Sequence, residues 1–260
     1  MKMLIGLCGL ILVLLSSVTA QLQKRPVDVF SQGSDCTEIK RLLPESRSGV
    51  YMIQPAASRI PFKVFCEMRP DGGWTVIQRR TGDKVSFRRN WASYEAGFGQ
   101  LTGDHWLGLE KIHWLTRSKR TTLRVDLWDH EGGTAYAEYK NFNLGNRNTA
   151  YELHVGRYSG TAGDAIRGEK YEMDQNGFGF STSDRDHDDC DPCISGKITV
   201  SECAQSDGGW WFSRCGSAAL NGDYHESGDH IGMKSGLHWR TWKKPTPYSA
   251  KATRMMIKSE

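Results

Sequence analysis

Six cysteines that follow an apparent export signal most constrain how this chain folds. The first twenty residues have a basic start at Lys2, an apolar run from Leu4 to Leu15 and small residues up to Ala20, which are the three parts of a secretory signal. We expect residues 1–20 to be a signal peptide, because the apolar run is shorter than the roughly 20 residues of a membrane span. The mature chain is therefore expected to be secreted and extracellular, where disulfide bonds persist.

The cysteines left after removal of Cys8 with the signal are even in number, so bridges within the chain could use all of them. They are Cys36, Cys66, Cys190, Cys193, Cys203 and Cys215. Sequence alone does not choose among their pairings. Because there is no odd cysteine and no heptad repeat, any oligomer is expected to be noncovalent.

Charge is nearly balanced, with 34 lysines and arginines against 30 aspartates and glutamates. Two basic groups stand out, and each could contact sulfated glycans or be an ordinary solvated face. The first comprises Arg79, Arg80, Lys84, Arg88 and Arg89, and the second Arg240, Lys243, Lys244, Lys251, Arg254 and Lys258. Export argues against a nucleic-acid partner, and no later stretch is long enough for a membrane span.

Hydrophobic patterning predicts an α+β chain. Asp35 can cap a short helix that ends at Pro44, and "NWASYEAGFG" and "GLEKIHWLT" have the pattern of helical turns. Strands are predicted at "GVYMIQP", "FKVFCEM", "WTVIQRR", "TTLRVDLWD", "TAYAEYKNFNL" and "ATRMMIK". After Gly156 the chain is mostly Gly- and Asp-rich loop, a setting in which binding residues are often found.

Ordered motifs along the chain resemble the fibrinogen C-terminal domain family. They include "VFCEM", "GGWTVIQRR", "HWLGLEKIHWLT", "YSGTAGDAI", "FSTSDRDHD", "GGWWFSRC" and "LHWRTW". The resemblance runs from Cys36 to Ile257 and is strongest to small fibrinogen-like and angiopoietin-like secreted proteins. It divides the chain into a signal peptide at 1–20, a short N-terminal segment at 21–35 and a fibrinogen C-terminal domain at 36–260.

This resemblance implies a disulfide-stapled fold: a small N-terminal part, a central antiparallel sheet with short helices, and a loop-rich C-terminal subdomain. It pairs Cys36 with Cys66 and Cys203 with Cys215, each bridge contributing roughly 2 to 4 kcal/mol. The strand at "RMMIK" is expected to return to the central sheet.

The stretch "FSTSDRDHDDCDPC" is a candidate calcium site, because Asp184, Asp186 and Asp188 alternate and carboxylate oxygens suit Ca²⁺. An EF-hand is excluded, since its sixth position would be Asp189 rather than glycine. The family resemblance implies carboxylate ligands at Asp186 and Asp188, with backbone carbonyls near Cys190 and Pro192. Fourteen residues separate Asp188 from Cys203, which is more than the family usually has at this place. Two interpretations of the aspartates therefore stay open: they are calcium ligands, or they form a solvated loop.

The "CDPC" segment has three interpretations. A thiol oxidoreductase centre is disfavoured, because a dense acidic loop raises a thiol pKa. Zinc held by Cys190, Cys193, Cys203 and Cys215 is conceivable but would consume a bridge that the family has. We favour a structural role, either a local bridge between Cys190 and Cys193 or a re-pairing with the other two cysteines.

The resemblance also implies a ligand pocket beside the Cys203 to Cys215 loop. Its candidate residues are Arg214, Cys215, Tyr224, Trp239 and Tyr248. The leading hypothesis is a secreted protein that recognises a receptor or matrix protein through a calcium-ordered C-terminal loop face, and the alternative is a lectin for acetylated sugars. Neither a His-Glu-x-x-His motif nor a nucleophile elbow is present, so we do not expect an enzyme.

Overall fold

A computed structural model of the chain describes residues 32–168, 173–190, 192–195, 198–200, 203–204, 208–228, 236–243 and 248–260. The predicted signal peptide lies outside these residues. So does most of the short segment that follows it. Among the described residues, no helix has the length and apolar character that a membrane crossing requires.

The described chain contains short helices and many more strands. The helices are α1 (Cys36–Leu42), α2 (Trp91–Ala96), α3 (Leu109–Thr116) and a 3₁₀ helix (Arg147–Thr149). The strands are β1 (Gly49–Ile53), β2 (Phe62–Arg69), β3 (Gly72–Arg80), β4 (Phe98–Gly99), β5 (His105–Trp106), β6 (Thr121–Trp128), β7 (Thr134–Tyr139), β8 (Asn143–Leu144), β9 (Leu153–His154), β10 (Tyr158–Gly160), β11 (Cys193–Ser195), β12 (Ile198–Val200), β13 (Ala218–Ala219), β14 (His238–Trp239) and β15 (Ala252–Ser259). All six predicted strand segments and all three predicted helices are confirmed. The segment "TAYAEYKNFNL" divides into β7 and β8, because Asn141 adopts a left-handed conformation (φ 53°) that turns the chain.

The N-terminal part packs α1 against β2 and β3. The Asp35 carboxylate accepts a hydrogen bond from the Glu38 amide (2.8 Å), which confirms the predicted helix cap. The predicted disulfide between Cys36 and Cys66 fastens α1 to β2. Gly73 permits this packing, since a Cβ there would lie 1.9 Å from the Cys36 carbonyl oxygen.

The central sheet is antiparallel, with strand order β1-β2-β3-β15-β6-β7-β10. β15 pairs with both β3 and β6, so the end of the chain returns to the middle of the sheet as predicted. Alternation places Leu123, Val125 and Leu127 of β6 in the core, where they are fully buried. Burying each such side chain contributes about 1.5–3 kcal/mol.

The opposite face of this sheet carries a charged ladder. Arg254 of β15 pairs with Glu67 of β2 (2.8 Å) and Asp126 of β6 (2.8 Å). Arg124 in turn pairs with Asp126 (2.7 Å) and with Glu138 of β7 (2.7 Å). These pairs join charged residues of four strands, β2, β15, β6 and β7.

The loop-rich C-terminal part is attached to the sheet by a buried polar contact. The Gln78 side chain, which is fully buried, donates to the Leu220 carbonyl (2.8 Å) and to the Asn221 side-chain oxygen (3.2 Å). The side-chain carbonyl oxygen of Gln78 accepts a hydrogen bond from the Thr253 hydroxyl (3.1 Å). The loops are thereby fixed relative to β3 and β15.

Candidate functional site

The acidic loop, residues 180–190, is anchored on α2. The Asp184 carboxylate accepts hydrogen bonds from the Trp91 amide (2.9 Å) and from the Thr182 hydroxyl (2.7 Å). The Arg185 guanidinium lies over the Trp91 ring, 4.4 Å from its centroid. These hydrogen bonds hold the pKa of Asp184 below its ordinary value, against the opposing effect of burial. Asp184 therefore holds the loop in place.

The other two alternating aspartates lie close together. Asp186 accepts a hydrogen bond from the Asp188 amide (3.0 Å). Asp188 is 1% exposed, and its two carboxylate oxygens accept from the amides of Cys190 (3.0 Å) and Cys203 (2.6 Å). Its carbonyl accepts from the Arg214 amide (2.9 Å). Asp188 thus connects the acidic loop, both ends of the long insertion and the predicted ligand pocket.

Burial raises the pKa of Asp188 to about 6, and the neighbouring Asp186 carboxylate adds to this effect. Among the described residues, no basic side chain forms an ion pair with either aspartate, whereas Asp189 pairs weakly with Arg214 (4.0 Å). Of the four predicted metal residues, Asp186, Asp188 and Cys190 are joined by hydrogen bonds, and the two carboxylates retain free lone pairs. The fourth, Asp184, instead contacts Trp91 and Thr182. The carboxylates are donors of the kind that Ca²⁺ takes.

Three buried sulfur atoms lie next to this loop. The Sγ atoms of Cys190, Cys203 and Cys215 are within 4.8 Å of one another. The predicted Cys203 to Cys215 disulfide is confirmed, so these two sulfurs are not available as zinc thiolates. Cys190 is also disulfide-bonded. The Cys193 side chain lies outside the described residues, so the predicted bridge between Cys190 and Cys193 stays a prediction.

The predicted pocket begins with a strained segment of backbone. Arg214, Cys215 and Gly216 have φ angles of 46°, 67° and 56°, which places three consecutive residues in the left-handed region. Such conformations are costly for non-glycine residues and persist where surrounding structure enforces them. The Cys203 to Cys215 disulfide and the hydrogen bond from Arg214 to the Asp188 carbonyl supply that enforcement here.

The three aromatic pocket candidates occupy different surroundings. Trp239 is 2% exposed, and its indole nitrogen donates to the Gly163 carbonyl (3.0 Å). Tyr248 is half-buried and donates its hydroxyl to Glu131 (2.9 Å). Tyr224 is also half-buried, and burial raises its pKa. None of the ring contacts or hydrogen bonds among the described residues joins these aromatics to Arg214, so their common pocket stays a prediction.

Sequence reasoning missed a charged cluster beside Tyr248. The Lys243 ammonium pairs with Asp129 (2.6 Å) and Glu131 (3.0 Å) and lies 5.0 Å from the Tyr248 ring centroid. The hydrogen bonds that the Lys243 ammonium donates to the two carboxylates raise its pKa. Asp129 and Glu131 are evident in the segment "WDHE", but Lys243, which pairs with both, lies more than a hundred residues further along the chain.

An antiparallel sheet, short helices and two defined disulfides together define a disulfide-stapled α+β domain. The family model for the C-terminal globular domain of fibrinogen beta and gamma chains matches residues 32–260. The chain belongs to this family, as the sequence predicted, and is a binding domain rather than an enzyme.

Curated relatives support the assignment. Human angiopoietin-4 is 44% identical over 226 residues, covering 86% of this chain and 42% of angiopoietin-4. Human fibrinogen-like protein 1 is 42% identical over 220 residues, covering 81% of this chain and 67% of that protein. The chain therefore spans less than half the length of angiopoietin-4 and about two thirds of fibrinogen-like protein 1.

Solved structures confirm the predicted fold. The fibrinogen-like globe domain of human ANGPTL2 has a TM-score of 0.76 at 37% identity, covering 87% of this chain and 98% of that one. Lamprey fibrin D-dimer, solved with the peptide Gly-His-Arg-Pro-amide, also has a TM-score of 0.76 at 37% identity, covering 86% of this chain and 73% of that one.

Proposed function

We propose that the protein is secreted and recognises an extracellular receptor or matrix protein through its C-terminal loop face, ordered by Ca²⁺. We define the loop face as the described residues 180–190, 208–228 and 236–243. The observation that carries the proposal is the position of Asp188. Its carboxylate and carbonyl connect the acidic loop to Cys203 and Arg214, so a cation bound there would act on both the acidic loop and the segment around Arg214.

The donor set fits a hard cation. Asp186 is exposed, and Asp188 keeps a lone pair on each oxygen after its two amide contacts. Asp186 and Asp188 would supply carboxylates, and Cys190 and Pro192 would supply carbonyl oxygens; water can complete the six to eight oxygen ligands that Ca²⁺ takes. A bound calcium ion would neutralise two adjacent carboxylates, which repel one another without it.

Calorimetric titration of the chelator-stripped secreted protein with Ca²⁺ tests the metal site. Saturable binding is expected in the parent protein and in Asp189→Asn, which removes one exposed charge outside the ligand set. Asp186→Asn should weaken binding by at least about tenfold, or about 1.4 kcal/mol. If the parent does not bind Ca²⁺, or if both variants lose affinity equally, the aspartates are not calcium ligands and form a solvated loop.

Recognition of a protein partner is tested separately with the labelled secreted chain. Calcium-dependent binding to intact cells should disappear after surface proteins are removed with trypsin and should resist free N-acetylglucosamine. Retention on acetylated-sugar resin, with release by that sugar, would instead support the lectin. The burial of Trp239 disfavours the lectin, because little of its ring is left for a sugar to stack on. The N-terminal sequence of the secreted protein checks cleavage after Ala20.

A further inference from the structure

A cavity of about 470 Å³ lies where α3 ends, between the following loop and the turn that joins β7 to β8. Its lining contains three cationic side chains, Arg117, Lys119 and Arg120, and no carboxylate. The hydroxyl of Ser118 and the carboxamides of Asn141 and Asn143 add neutral hydrogen-bonding groups. The volume falls within the roughly 300–1,000 Å³ of small-molecule sites in proteins.

Loop 117–120 is held in a fixed position by three neighbouring elements. The Lys119 ammonium donates to Asp35 and to Ser34, both at 2.7 Å, which ties the loop to the start of α1. The Arg120 carbonyl accepts from the Glu260 amide (2.9 Å), just after β15, and the Arg117 amide donates to the last turn of α3. A ligand would therefore meet an ordered loop backbone, and binding would have to order only the exposed side chains of Arg117 and Arg120.

The two arginines of this loop have no ion-pair partner among the described residues; the Glu260 carboxylate, whose pKa is lowered chiefly by its hydrogen bond with Lys140, also lies within the field of Arg120. Asp35 is already paired with Lys119, and Glu260 with Lys140 (3.0 Å). Arg117 and Arg120 are exposed, and within the described part of the chain neither side chain has an ion pair or a hydrogen bond. Two guanidinium groups therefore remain available beside the cavity.

The two basic groups predicted from the sequence differ from loop 117–120, because many of their members form ion pairs with carboxylates. Arg88 pairs with Asp223, Lys243 with Asp129 and Lys258 with Asp71. Arg79 and Arg254 both reach Glu67. Loop 117–120 is thus the better candidate for an external anion, although the sequence analysis did not select it.

We propose that this cavity binds the sulfate groups of a sulfated oligosaccharide chain. Planar guanidinium groups contact tetrahedral oxyanions with paired hydrogen bonds, and sulfated glycans are the polyanions that a secreted protein meets outside the cell. The Nδ1 atom of His113 donates to the Leu144 carbonyl (2.9 Å), so Nε2 of the neutral ring is an acceptor, which suits a sugar hydroxyl and not a sulfate oxygen. The end of α3 carries partial negative charge that opposes an anion, and the two arginines must outweigh it.

This inference uses the secretion proposed above but not the calcium site or the loop face. The test is therefore made in the presence of a chelator. A heparin-derived tetrasaccharide is titrated calorimetrically into the full secreted chain, and the same titration is repeated with the chemically desulfated tetrasaccharide, inorganic sulfate and inorganic phosphate. Measurable binding is expected for the sulfated tetrasaccharide, with at least about tenfold weaker binding for the other three.

Two double variants separate a site from general charge attraction. Arg117→Ala/Arg120→Ala should weaken tetrasaccharide binding by about tenfold, or about 1.4 kcal/mol. Arg59→Ala/Lys63→Ala removes the same charge from two exposed positions elsewhere and should change affinity less than about threefold, or about 0.7 kcal/mol. Arg117→Lys/Arg120→Lys keeps the charge and should give an intermediate loss, because lysine lacks the planar fork.

Several outcomes would overturn the proposal. Equal losses in the two alanine pairs would indicate attraction to net charge alone. If the desulfated tetrasaccharide binds as tightly as the sulfated one, sulfate has no role in recognition. If inorganic phosphate binds as tightly as the tetrasaccharide, the cavity is a site for free anions. Failure of the parent to bind the tetrasaccharide would also refute it, whatever the result of the calcium titration.

Discussion

Replacing Gln78 tests the attachment of the C-terminal loops to the central sheet. Gln78→Met keeps most of the side-chain volume but removes all three of its hydrogen bonds, to Leu220, Asn221 and Thr253. Gln78 is fully buried, so water cannot replace the lost partners. Each buried polar group left unsatisfied costs about 1–3 kcal/mol, and the three together predict a loss of about 3–5 kcal/mol after partial relaxation.

The free energy of unfolding is measured in urea by tryptophan fluorescence, to which the buried Trp210 and Trp211 of the C-terminal part contribute together with the tryptophans of the rest of the chain. Gln54→Met is the matched control, because Gln54 is exposed and its change should stay within about 0.5 kcal/mol. If Gln78→Met is not secreted, Thr253→Val removes one contact and should cost about 1 kcal/mol. A difference below about 1 kcal/mol between the two methionine variants would refute the role given to Gln78.

Three further predictions follow from the fold. Replacing Cys36 and Cys66 by alanine should lower the free energy of unfolding in urea by about 3.6 kcal/mol, as expected for a sequence separation of 30; a loss below 1 kcal/mol would contradict this. Gly216→Ala should cost about 1–3 kcal/mol in the same assay, because φ is +56° and the new Cβ would lie 2.3 Å from a side-chain nitrogen. Lys243, chiefly by hydrogen bonding, holds the pKa of Asp129 below its ordinary value, so this contact stabilises the fold above about pH 4 and is lost as pH falls. Lys243→Met should therefore flatten the acid side of the stability profile, and an unchanged profile would count against the contact.

Hydrophobic periodicity predicted the helices and strands, and the ordered motifs predicted the family. Neither predicted which face of the sheet each polar residue occupies. The register of β3 against β15 shifts between Met255 and Met256, whose partners are Gln78 and Val76. This irregularity interrupts the alternation that periodicity assumes. As a result Gln78 lies in the core, and of the two arginines that follow it Arg80 is the one on the buried face.

The basic group predicted at residues 79–89 contains two adjacent arginines that occupy opposite faces of β3. Arg79 lies near Glu67 on the charged face (4.0 Å), whereas Arg80 is 2% exposed and donates to the Gly222 carbonyl (2.8 Å). A linear count of charge could not separate these roles, since each depends on a partner that is distant in sequence. The run "RSKR" at 117–120 was visible, but only the fold shows that two of its cations have no carboxylate partner in the described chain.

The long insertion after the acidic loop is compatible with the family fold for a geometric reason. One carboxylate, that of Asp188, accepts from both Cys190 and Cys203, so the chain leaves and returns within reach of a single side chain. The Sγ atoms of these two cysteines are also within 4.8 Å of each other. When the ends of a loop are fixed this closely, added length costs little, since closure entropy grows only with the logarithm of loop length. The insertion can therefore vary in length and sequence without moving Asp186, Asp188 or the Arg214 backbone.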